Sequence, residues 1–255
     1  MNKILLIAKY SFRDTLRSKL MINVLWVSLG VLTLTYVTSE FSYGNVSKVA
    51  LDFGLSLSAL ATSFIAIFVG ASLLSSEIEN RTAYITLSRP VTRQSFILGK
   101  ILGTSFFLLL NSLIISAVSL LCFLGVGGEI NLAIFWAVLF SLLEAIILLL
   151  VVLNFSLITN RVISVINTLA VFILGHAIPS ALKMGFVKSR PELETLLNTS
   201  TYFIPNLDKL NIKNEIVLSG LLESSVLING AGYALFYILF LIILSILIFN
   251  KKELN

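Results

Sequence analysis

The sequence predicts an all-α polytopic membrane protein with about six transmembrane helices. Three observations carry this. The 255 residues are 57% hydrophobic and 12% charged, with a mean hydropathy of +1.00, whereas a soluble domain carries about 25% charged residues. A chain so poor in charge cannot cover a globular surface with polar groups. Six stretches also approach or exceed the ~20 apolar residues that a bilayer span needs. Finally, the stretches are too long for barrel strands, so backbone groups cut off from water must pair within helices.

Met1 to Lys19 is cationic, and the apolar run after it is too long for a signal-peptide core, with no small-residue cleavage site following. At helical spacing Ile4, Leu5, Ala8, Phe12 and Leu16 share an arc, and Lys9, Arg13 and Arg17 form an adjoining stripe. The pattern predicts a helix lying in the headgroup region, apolar side down and cations toward phosphates. Leu6 and Ile7 fall near the polar arc and break the pattern.

The six spans are expected at about Leu20–Thr38, Phe53–Leu74, Phe96–Val126, Leu132–Ile158, Val162–Leu182 and Val226–Asn250. The third is long enough to begin outside the bilayer or to tilt. Between the fifth and sixth lies Lys183 to Leu227, with five basic and five acidic residues. There Pro191 is suited to the first position of a short helix, Pro191 to Leu197. Tyr202 to Asn206 reads as a break, and Ile216 to Leu222 as a second short amphipathic piece.

Lysine and arginine in short loops set orientation. With the N-terminus in the cytosol, 12 of the 18 basic residues fall inside and 6 outside. Six spans return the Lys251–Lys252 pair to the cytosol as well. The net charge of +5 is therefore a topology signal, and no nucleic-acid patch is expected. Both termini are predicted cytoplasmic, in a cell membrane of the bacterial inner-membrane type, and 1–255 reads as one membrane domain.

Several chemistries are excluded. The single cysteine, Cys122, permits no intrachain disulfide. One histidine cannot build a metal site by itself, so no metal site is expected. There is no His-Glu-x-x-His, no Ser/His/Asp set and no Gly-x4-Gly-Lys-Ser/Thr phosphate loop. No catalytic residue is assigned, and the chain is not expected to be an enzyme.

The segment between spans two and three, Ser75 to Lys100, holds in order Glu77, Glu79, Arg81, Thr82, Leu87, Ser88, Arg89, Pro90, Val91, Thr92, Arg93, Gly99 and Lys100. An acidic stretch, a threonine-containing short helix and the turn Ser88-Arg89-Pro90-Val91-Thr92-Arg93 leading to Gly99-Lys100 resemble the permease subunits of type-2 ABC transporters. That resemblance implies an N-terminal elbow helix at 1–19, a cytoplasmic coupling helix within 75–95, and short external helices in 183–227 before the last span.

It further implies the permease subunit of an ATP-driven exporter. The coupling loop would dock on a separate ABC ATP-binding subunit through Glu77, Glu79, Arg81, Thr82, Leu87, Ser88, Arg89 and Pro90. Two ATP-binding subunits and a second permease, giving a homodimer, are implied. ATP and Mg would be bound by the partner, with no cofactor in this chain. Arg93 and Lys100 read as membrane-flank anchors. The alternative reading is a non-transporting membrane anchor or mechanotransmitting subunit of an ABC complex, acting on an envelope or periplasmic partner through the Lys183–Leu227 loop.

Within the spans, ionisable and amide side chains mark a possible translocation path. Glu144 stands out, because a carboxylate at the bilayer centre costs about 2.5–3.5 kcal/mol on insertion scales. Its alternative role is a neutral acid hydrogen-bonded to another helix. Asn111, Asn154 and Asn167 join it as path candidates, with interhelical bonding as their structural role. His176, with Pro179, lies toward the outer end of span five, and a hydrogen-bonded interfacial side chain is its plainest role.

Overall fold

The computed structural model describes residues 3–17, 20–41, 44–79, 91–201, 204–213 and 224–252. Among them the chain is helical without strands: α1 (Lys3–Arg17), α2 (Leu20–Glu40), α3 (Val46–Glu79), α4 (Arg93–Gly125), α5 (Leu132–Ile158), α6 (Arg161–Leu182), α7 (Gly185–Lys188), α8 (Pro191–Ser200), a 3-10 turn at Leu207–Leu210, and α9 (Ser224–Lys251). Six of these, α2 to α6 and α9, are long and apolar enough to cross a membrane.

The helix starts follow local chemistry. Asn131 and Asn160 cap α5 and α6, each accepting from a backbone N–H three residues on, Ile134 at 3.1 Å and Ile163 at 3.0 Å. Thr92 caps α4 in the same way, accepting from Ser95 N at 3.2 Å. Pro191 stands in the first turn of α8, as its fixed φ favours. After α4 the chain turns through Gly127 at φ +83°, a conformation that side-chain-bearing residues rarely adopt.

Helix α5 is the axis of the bundle. It is hydrophobic all round, which fits a helix enclosed on every side. Ile147, Leu148, Leu149, Leu150, Val152 and Leu153 are fully buried. Helices α3, α4, α6 and α9 surround it, and α2 packs outside α3 and α4. The lipid-facing helices α2 and α9 leave rows of large apolar side chains exposed, Trp26 and Phe236 among them.

Helices α3 and α4 run 34 and 33 residues, about 50 Å each at 1.5 Å per residue. That exceeds the ~30 Å hydrocarbon core, so each overhangs it. The helix of the second span begins before the apolar stretch does, at Val46 instead of Phe53. The loop segment opens with an unexpected short helix, α7, and the helix expected at Pro191 to Leu197 continues to Ser200, three residues past the expected end. The piece expected at Ile216 to Leu222 lies outside the described residues.

Helix α1 packs against α4 rather than presenting its whole apolar side to lipid. The contact is cut by two glycines of α4. A Cβ at Gly99 would sit 2.6 Å from Ile7 Cβ, and one at Gly103 would collide with the Ala8 carbonyl. Phe12 meets Phe106 edge-on at 5.3 Å. This explains why Ile7 departs from the amphipathic arc: it faces a neighbouring helix, not the headgroups.

Candidate functional site

Two polar constellations lie at different levels of the bundle. Midway along α5, Glu144 is 4% exposed, and its Oε1 lies 2.9 Å from Nε2 of His176 on α6. Phe172, one turn before His176, meets the imidazole edge-on at 5.1 Å. The two residues are 32 apart in sequence. Antiparallel packing of α5 and α6 brings them to one depth, so the lone histidine and the lone buried carboxylate of these spans form a pair. It satisfies a group that would otherwise be costly in a low-dielectric interior.

The segment 204–213 folds over this pair. Pro205, Leu207, Leu210 and Ile212 are buried, the last three at 0–2% exposure. A Cβ at Gly175, beside His176, would come within 2.8 Å of the Pro205 carbonyl and 2.9 Å of Leu207. Asn206 N–H donates to the Tyr233 hydroxyl of α9 at 2.7 Å. Lys183 pairs with Asp208 at 2.7 Å, and the Lys209 ammonium lies 4.9 Å above the Tyr233 ring. At the end of the segment burial holds the Lys213 ammonium below its ordinary value, against the pull of Glu144 and Asp52, which favour its charge.

Asn154 joins α5 to α9. Its Nδ2 donates to Leu150 O at 2.9 Å and to Leu241 O at 3.2 Å, while Oδ1 accepts from Ser245 Oγ at 3.1 Å. Asn111 is fully buried on α4 and donates to Phe107 O at 2.7 Å. Its Oδ1 has no partner among the described residues. Asn167 is half-buried on α6. Thus Glu144 and Asn154 share one helix, but only Glu144 meets His176, and the asparagines do not join that pair.

The second constellation lies at the end of the bundle where α5 and α9 finish, and there Arg93 opens α4. It was expected as a membrane-flank anchor, yet its Nη1 donates to three carbonyls that finish α9: Phe249 at 3.3 Å, Asn250 at 3.2 Å and Lys252 at 2.9 Å. Phe96 stacks on Phe249 at 5.9 Å, both nearly or fully buried. Lys252 Nζ in turn donates to Leu157 O of α5 at 2.7 Å, and burial lowers its affinity for the proton. These contacts carry no local sequence signal, because an arginine at a helix start reads as a flank charge.

Of the residues expected to meet a partner, Arg81, Thr82, Leu87, Ser88, Arg89 and Pro90 lie outside the described residues. Glu77 and Glu79 fall in the last turns of α3, with their side chains likewise outside the description. Among the described residues there is no cluster of three or more metal-ligating side chains.

A family model described as ABC-2 family transporter protein matches residues 5–254. No curated protein matches.

Proposed function

Because this chain belongs to the ABC-2 transporter family, a multi-pass membrane protein family, we propose that it is the permease subunit of an ATP-driven exporter and couples to a separate ATP-binding subunit through the 75–95 segment. The observation that supports this most is the overhang of α3 and α4. Both helices outlast the hydrocarbon core, and they flank the connection in sequence: Glu77 and Glu79 lie at the end of α3, and Arg81, Thr82, Leu87, Ser88, Arg89 and Pro90 follow before α4 begins at Arg93. A partner gripping that connection holds two long rigid levers. On this reading the Arg93 end faces the cytosol of a bacterial inner membrane, as do both termini. ATP and Mg are bound by the partner, two copies of which serve a homodimer of this chain.

The opposite end then faces outward, and the 204–213 segment closes it. The Glu144–His176 pair beneath is the polar station on the path, suited to a hydrogen-bonding or cationic group of cargo. Asn111, with one unpartnered amide oxygen, is the second polar position. Asn154 and Asn167 are the remaining path candidates, the former also tying α5 to α9.

Crosslinking tests the coupling. Leu87→Cys in a Cys122→Ser background should give an adduct with a co-expressed ATP-binding subunit, and Arg89→Glu should weaken co-purification. A chain that recovers no ATP-binding subunit overturns the reading. A second reading, a mechanotransmitting anchor, is favoured by Met184, Phe186 and Leu196. These apolar side chains are about 60% exposed on and beside α7 and α8, a surface for an envelope partner. Crosslinks from these positions to a periplasmic protein, without solute movement, would select it.

A further inference from the structure

We propose that Arg93 is a positioning residue that passes displacement of the 80–92 connection to the last span, with Lys252 extending the restraint to the central helix. The inference rests on the coupling role of that connection.

Arg93 is the first residue of α4, directly after the connection, so it must move with it. A cation in the first turn opposes the dipole of its own helix, so the stability of α4 itself does not call for one there. The reason lies across the interface. The last carbonyls of a helix have no intrahelical donors, and a cation among them also suits the negative end of that helix. One guanidinium nitrogen answers three such oxygens, of Phe249, Asn250 and Lys252.

The joint is reinforced and extended. Phe96, one turn into α4, stacks on Phe249, so the two helix ends share a packed aromatic contact as well as the polar one. Lys252 repeats the device, its ammonium bound to Leu157 O at the end of α5. The exit of the connection, the end of α9 and the end of α5 are thus joined in series by two cations on backbone oxygens. On the other flank of α4, Gly99 and Gly103 seat α1. A push on the connection therefore reaches α9 and α5 through Arg93, not only through the apolar faces of the spans.

The test uses the complex with its ATP-binding subunit in lipid vesicles, with spin labels at Asn23→Cys and Asn250→Cys in a Cys122→Ser background. Mg-ATP should shift the label distance in the otherwise native chain. In Arg93→Gln the shifted population per ATP hydrolysed should fall about tenfold, the scale of a lost charged hydrogen bond, and Arg93→Lys should recover part of it. A purely structural role would lower hydrolysis and shift together and leave their ratio unchanged. That outcome, or a full shift in Arg93→Gln, overturns the inference alone. No ATP-driven shift in the native complex overturns the coupling role beneath it. Lys252→Met cuts the second link with Arg93 intact. It should blunt movement of a label at Ile158→Cys while sparing Asn250→Cys, and equal movement at both overturns the series.

Discussion

His176 Nε2 lies 2.9 Å from Glu144 Oε1 and joins α6 to α5 where the 204–213 segment closes the bundle. Neither residue can be removed without consequence for the other, because Glu144 is buried while the imidazole retains partial access.

His176→Leu leaves the Glu144 carboxyl buried without this partner, at a cost of about 1–3 kcal/mol. Glu144→Gln keeps an acceptor for the imidazole and should cost less. The double variant His176→Leu with Glu144→Leu should lose less than the sum of the two leucine single variants. Thermal unfolding of the purified protein reads all four. Losses that add within about 0.5 kcal/mol would show that the pair is not coupled.

Lys213 carries a pH signature. Its folded-state value lies below the ordinary 10.5, chiefly through burial. Between the folded value and 10.5 the unfolded chain binds more protons than the folded one, so stability rises with pH across that window. Below the folded value both states are charged and the full burial cost remains. Lys213→Met should therefore be more stable than the native chain at neutral pH. The gap should close as pH climbs toward the usual lysine range. A gap that is constant with pH would sink this account.

Gly103→Val should detach α1. The new side chain meets the Ala8 carbonyl and Ser11 Cβ, which are helix backbone and its first carbon and cannot swing away. Overpacking of this kind costs about 1–3 kcal/mol. Limited proteolysis between α1 and α2 should accelerate in this variant, while Gly125→Val, with open space around it, should leave cleavage unchanged. Equal cleavage of both variants would argue against the Gly103 seat.

Much of the fold was legible because it is local. Leu132–Ile158 matches the expected span residue for residue, since Asn131 caps one end and apolar length ends the other. The last span ends within one residue of expectation, at Lys251 instead of Asn250. The start of α3 was missed because Asp52 and Lys48 depress hydropathy over a stretch that is still helical. The role of Ile7 was opaque for a related reason: its anomaly on the amphipathic arc makes sense only beside Gly99, some ninety positions later.

From sequence alone it was legible that this chain lives in a membrane, that it has six spans, and which family it resembles. Those follow from apolar length, loop charge and a run of residues from Ser75 to Lys100, all of which act over a few neighbours. Tertiary structure alone decided that Glu144 meets His176, that Lys213 returns toward Glu144 and Asp52, and that Arg93 grips the end of α9. Each depends on how helices rotate and stack about α5. Such apolar helices carry little periodicity to say which face turns inward, so only the packed bundle selects which distant polar groups become partners.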